Sequence, residues 1–213
     1  MATPSSQSSK AGTKGVPRQH RRRQMLEAAT EEFGTHGYAA ASLPAIAARV
    51  GVTKTLLHQY FGTKEDLYVA CLIPVGDRLL DTIRAAMGEG GAAPHTPLRV
   101  LHSIFTALEG RREAWFVLYD TTLPPGGEAA LRASEYWSAI DRLAAGGTAE
   151  LLHAVGSADP LDADALKYVW RDLVATLVRW WVKHPEQTPE AMTRRCARLF
   201  AAAATLATDR HLD

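Results

Sequence analysis

SLPAIAARVGVTKTLLHQYFGTKEDL, residues 42–67, contains three helix starts in close succession. Ser42 stands where an N-cap belongs, and Pro44 falls in the first turn, where a missing N–H is tolerated because that donor has no intrahelical partner. Ile46, Ala47 and Val50 follow at helical spacing, and Gly51 stops the helix after about two turns. Thr53 caps the next helix, which carries Leu57 and Phe61 four residues apart on one face. Gly62-Thr63 ends that helix and caps another beginning at Lys64.

Upstream, Leu26, Ala29 and Phe33 fall on one helical face, and Gly34 and Gly37 supply a C-terminal stop, so the spacing predicts a first helix over 18–34. Ile46, Ala47, Val52, Leu57 and Phe61 are spaced to form a small core with this helix beneath it. A two-turn helix, a short Gly-containing turn and a second helix with a polar outer face make the helix-turn-helix arrangement, whose second helix lies in a DNA major groove. Residues 1–17, MATPSSQSSKAGTKGVP, have almost nothing to bury and are expected to be disordered. That arm leads into RQHRRR, in which Arg21, Arg22 and Arg23 are either solvated or reach phosphates or the adjacent minor groove.

Downstream, helical patterns run through 64–87, 97–109, 111–122, 127–155, 162–184 and 188–208, separated by Gly-Gly, Pro-Pro or Asp-Pro loops. Pro74 is expected to kink the first of these. With no sustained period-2 alternation, the chain reads as all-α. No run approaches the roughly 18 apolar residues needed to span a bilayer, and no secretory segment precedes Arg23, so a cytoplasmic protein is expected. Cys71 and Cys196 each fit as buried small hydrophobes, not as a disulfide or metal motif. The net charge of +1 hides an asymmetry: residues 1–71 hold nine Lys/Arg against five Asp/Glu, the remainder fifteen against eighteen. Positive charge gathers where a polyanion would be met.

The stretch RRRQMLEAATEEFGTHGYAAASLPAIAARVGVTKTLLHQYFGTKEDLYVACL resembles the DNA-binding domain of the TetR family of bacterial transcriptional regulators. The matches are Ala28-Ala29, Phe33, Gly37-Tyr38, Ser42, Ile46-Ala47, Gly51-Val52, Leu57, Phe61 and Lys64-Glu65, in order and without a gap. The resemblance implies that Thr53, Lys54, Thr55 and Gln59 face base edges. Lys54 is then suited to guanine, Gln59 to adenine and the Thr55 methyl to thymine. Ser42, Tyr60 and Lys64 would hold phosphates and fix register. His58 replaces a phosphate-contacting Tyr usual in the family; a plain solvated His and a pH-sensitive contact both remain open. Pro44 removes a helix 2 donor that some relatives aim at DNA.

The resemblance implies a division into an arm (1–17), a helix-turn-helix domain (18–71) and a larger ligand-binding and dimerisation domain (72–213). LVRWWVKHPEQTPEAM, residues 177–192, looks like the turn between the last two helices of relatives, which form a four-helix bundle with a second subunit. Leu173, Leu177, Val178, Trp181, Leu199, Phe200 and Ala203 supply an apolar stripe that either this dimer or the monomer core could absorb. Candidate ligand contacts are Phe105, Trp115, Phe116, Tyr119, Tyr136, Trp137 and Trp170, with His102, Asp120 and Arg171 as polar anchors; each is equally well explained as core. The expected partners are an operator duplex, a small apolar or aromatic effector and a second copy of the chain, with no cofactor or metal. The expected role is a repressor, with an activator of the same fold or a sequence-nonspecific DNA-coating protein as alternatives. No Gly-rich phosphate loop or hydrolase motif supports an enzyme.

Overall fold

The computed structural model describes residues 17–88 and 95–208; the arm expected to be disordered falls almost wholly outside the described residues. Among the described residues all regular structure is helical: α1 (Arg18–Ala40), α2 (Leu43–Arg49), α3 (Lys54–Phe61), α4 (Lys64–Gly88), α5 (Thr96–Leu108), α6 (Ala114–Leu118), α7 (Glu128–Ala154), α8 (Pro160–Val182) and α9 (Pro189–Thr208). No described helix is long and apolar enough to cross a membrane.

The first three helices close over Met25, Ala29, Phe33, Ile46 and Leu57, all buried, with Leu26, Val52 and Phe61 partly buried around them. Beyond them, α4 packs on α5 and α7, α7 on α8, α9 on α5, and α6 on α1 and α4. The boundary expected at residue 71 therefore falls inside α4, one continuous helix that belongs to both halves. Pro74 lies within this helix.

Two expected boundaries are corrected. Gly34 does not stop α1, because its missing side chain makes room for the Glu113 backbone of the segment before α6; the break comes at Gly37, whose φ of 73° is open to glycine and strained for other residues. The helix expected over 111–122 shrinks to Ala114–Leu118. Asp120 explains the early stop, since its Oδ1 accepts from the Thr122 N–H (2.7 Å) and hydroxyl (2.7 Å) and so offers the backbone a turn in place of a helix.

Candidate nucleic-acid interface

The turn between α2 and α3 is built by backbone geometry. Gly51, at φ 67°, lets its N–H reach Ala48 O (3.2 Å) while Val52 N–H reaches Ala47 O (2.9 Å), the paired bonds that close a helix C-terminus. Ser42 Oγ accepts from Ala45 N–H at 3.3 Å and Thr53 Oγ1 from Leu56 N–H at 3.1 Å, so both expected caps form. Glu32 adds a contact that the sequence did not suggest: this carboxylate, 5% exposed, accepts the Ser42 N–H at 3.0 Å and fixes the start of α2 to α1. A Glu within a helix ordinarily reads as solvated, so only packing reveals the role.

With Leu57 buried beneath α3, the side chains of Thr53, Lys54, Thr55, His58 and Gln59 are left exposed. His58 Nδ1 lies 2.7 Å from Gly62 O, and because a carbonyl only accepts, this nitrogen is the donor. Nε2 then accepts when the ring is neutral and donates to a phosphate only as imidazolium.

Four assigned residues, Arg21, Arg22, Arg23 and Lys64, are placed otherwise than expected. Arg21, Arg22 and Arg23 lie in the opening turns of α1, so they are helical side chains and not the tip of an extended arm. Arg22 covers the Phe61 ring at 5.2 Å and Arg18 the Tyr60 ring at 5.5 Å, which sets basic charge against the far end of α3. Lys64 turns inward: its Nζ donates to Ala41 O (2.8 Å) and Ala39 O (3.4 Å) and lies 4.9 Å from the Tyr38 ring centre. Desolvation there lowers its pKa, opposed by the charges of Asp120 and Glu32. A side chain already spent on two carbonyls is a brace between α1 and α4 before any phosphate arrives.

Residues 25–71 match the model of bacterial regulatory proteins of the tetR family. Residues 25–71 thus form a tetR-type DNA-binding region. It is 44% identical over 72 residues to the HTH-type transcriptional activator FasR of Mycolicibacterium smegmatis, a match covering 34% of this chain and 33% of that protein. To the HTH-type transcriptional regulator BetI of Rhizobium meliloti it is 33% identical over 103 residues, covering 46% and 50%. The chain thus spans between a third and a half of the length of these curated relatives. A TetR-like transcriptional regulator from Rhodococcus sp. RHA1 shares the fold at a TM-score of 0.61 with 27% identity, covering 84% of this chain and 93% of that one. A TetR-family regulator from Bordetella parapertussis does so at 0.68 with 20% identity, covering 86% and 95%.

The residues assigned to a ligand separate in the structure. Trp115, Tyr119 and Trp137 form one stacked column, with ring centres 4.5 and 5.6 Å apart, and the Trp137 indole N–H donates to Leu118 O at 2.5 Å. The Tyr119 hydroxyl is pushed up by burial, against the influence of the Arg171 charge. Phe116 is partly buried beside them on α6. The others lie elsewhere. Phe105 packs on Trp181 in the core, His102 Nδ1 pairs with Thr193 Oγ1 at 3.1 Å, Trp170 meets Phe200, and Tyr136 bonds Asp77 at 2.6 Å. Asp120 is no ligand anchor in this arrangement: its Oδ2 accepts the Tyr38 N–H at 2.5 Å and ties the α6 segment to α1. A cavity of about 480 Å³ between the end of α7 and the start of α8 is lined by Ala149, Leu152, Pro160, Ala163 and Lys167 among others, and by none of the assigned residues.

Proposed function

We propose that this chain is a ligand-responsive transcriptional regulator that grips a pseudo-palindromic operator as a homodimer and releases it when a small molecule occupies the C-terminal helices. The observation that carries the reading is the face of α3: Thr53, Lys54, Thr55, His58 and Gln59 stand in solvent on a short helix whose opposite side, at Leu57, is buried. A helix so presented, capped and braced, is the reading element of a major-groove binder. Residues 18–71 serve DNA, and residues 72–213 serve the effector and the second subunit. Lys54, Thr55 and Gln59 read bases, while Ser42, Tyr60 and the α1 arginines hold phosphates. The operator is met in the cytoplasm, and no catalytic step is required.

Dimerisation through α8 and α9 is supported by what those helices leave uncovered: Tyr168 is 49%, Val169 62% and Leu199 51% exposed. Leu177, Val178 and Trp181 do not belong to that interface, because they are buried in the monomer core. Two recognition helices held about 34–36 Å apart, or a multiple, engage successive turns of one duplex face. The effector reading rests on the column of Trp115, Tyr119 and Trp137, whose outer ring, Trp137, stands 40% exposed. Repression is the primary reading; activation is the alternative, supported by the 44% identity over 72 residues to a relative named as an activator.

Selection of duplexes from a random-sequence library, followed by footprinting under excess bulk DNA, tests the proposal. One palindromic footprint that persists is the expected result, whereas protection that vanishes with competitor identifies a DNA-coating protein. In-vitro transcription from a promoter carrying the selected duplex separates repression from activation.

A further inference from the structure

Arg112 lies in the turn before α6 and reaches the connection between α8 and α9. Its Nη1 donates to Trp181 O (2.9 Å) and His184 O (3.0 Å), and its Nη2 to Pro185 O (3.0 Å) and Gln187 O (2.8 Å). The guanidinium carbon sits 3.9 Å from the Trp181 ring centre, and Trp181 Nε1 donates to the same Gln187 carbonyl at 2.8 Å. A helix C-terminus leaves its last carbonyls without intrahelical partners, and here one cation supplies them.

The same segment is fastened to the DNA-binding helices. A Cβ on Gly34 of α1 would collide with the Glu113 carbonyl, so backbone meets backbone with no side chain between to absorb motion. Farther along, Asp120 accepts the Tyr38 N–H at 2.5 Å and Thr122 Oγ1 the Ala39 N–H at 3.0 Å, both at the end of α1. Tyr68 of α4 donates to Val117 O at 2.5 Å. Residues 112–122 thus touch the α8–α9 turn at one end and α1 and α4 over the rest.

We infer that Arg112 is a positioning residue that makes residues 112–122 a strut, carrying the orientation of the α8–α9 turn to α1 and so setting the separation of the two recognition helices. The inference rests on the dimeric reading above. A planar fork holding four carbonyls transmits a displacement of the turn, whereas a single ammonium can swivel and let it pass. The coupling therefore runs between the subunit-pairing helices and the operator-reading helices, through atoms that need not touch either DNA or effector.

The test compares full-length wild type with Arg112→Lys, Arg112→Gln and Thr122→Val. Each binds the duplex that wild type selects from the library and a random duplex; spin labels on an Ala48→Cys background report the distance between the two α2 helices. That site is exposed, and the native Cys71 and Cys196 are buried. Arg112→Gln should weaken the selected duplex about tenfold and broaden the distance distribution. Random-duplex affinity should stay within about twofold and the dimer mass should not change. Arg112→Lys should fall between, and Thr122→Val, which severs the far end at an exposed side chain, should give the same pattern more weakly. An unchanged distance distribution in Arg112→Gln overturns the strut, as does joint loss of selected and random binding with the fold retained. If Arg112→Gln does not fold, an unchanged distribution in Thr122→Val overturns it. A wild type that selects no duplex defeats the regulator reading instead, while the distances still judge the strut.

Discussion

Gln59 and Lys64 both follow from the same stretch of sequence, and their surroundings give them opposite jobs. Gln59 is exposed on α3, so Gln59→Ala should cost about 1–3 kcal/mol of operator binding and relax preference at one base pair, read by titrating single-base-pair variants of the selected duplex. Lys64 was expected to hold a phosphate, but its ammonium is bound to Ala41 O and Ala39 O. Lys64→Ala should therefore lower folding stability by about 1.5 kcal/mol in urea denaturation. It should also leave the dependence of log K on log[salt] nearly unchanged, and a slope flatter by about one unit would mean that the ammonium turns out to meet DNA. Gly34 is decided by contact alone. Gly34→Ala should destabilise the fold by about 1–3 kcal/mol, since the new carbon overlaps the Glu113 carbonyl and either α1 or the α6 segment must move.

At the scale of the element, α4 begins with a reciprocal cap that the sequence spells as Thr63-x-x-Asp66. Asp66 Oδ2 accepts from Thr63 N–H (2.8 Å) and Thr63 Oγ1 (2.7 Å), and Asp66 N–H donates to Thr63 Oγ1 (3.1 Å). The bond from the Thr63 backbone, then that from its hydroxyl, holds the Asp66 carboxyl below its ordinary pKa. A carboxyl depressed in the folded state contributes stability above its unfolded pKa of about 3.9, and that contribution is lost as pH falls through the folded value. The melting temperature should therefore drop between pH 5 and the acid limit by less in Asp66→Asn than in wild type, with the variant lower at neutral pH. Parallel acid profiles would show that the cap does not depend on the charge. α6 teaches a different lesson about elements: its residues have helical character, yet the Asp120 turn limits the helix to Ala114–Leu118 and turns the flanks into attachment points.

For the whole molecule, the proposed function makes specificity depend on how two copies are held. Leu199 stands 51% exposed on α9, so Leu199→Asp should shift the chain toward monomer in sedimentation without unfolding it. Specific operator affinity should then fall to the level of random DNA, because one recognition helix reads only a half-site. A variant that remains dimeric by mass, or a monomer that binds the full site as wild type does, would place the subunit contact elsewhere. Because α4 belongs to both halves and the α6 segment bridges them, a change in the C-terminal helices has two physical routes to α1–α3. The Arg112 contacts make the second route begin at the α8–α9 turn.

Caps, stops and helical spacing act over a few residues, which is why the short helices α2 and α3 and the exposed face between Thr53 and Gln59 were legible from sequence alone. Their determinants lie within four positions along the chain: Ser42 with Ala45, Thr53 with Leu56, Gly51 with Ala48. The family resemblance covered the same region for the same reason, since a DNA-reading surface constrains a contiguous stretch. What the chain could not reveal are pairings across long separations, such as Glu32 with Ser42, Lys64 with Ala41, Asp120 with Tyr38 and Arg112 with Gln187. An isolated Glu, Lys, Asp or Arg on a helical pattern looks solvated, and only the packing of other helices decides which of them turns inward. Tertiary structure likewise divided the apolar stripe of the last helices, sending Trp181 and Val178 to the core and leaving Leu199 in solvent, because helical periodicity marks a face without naming what it will meet.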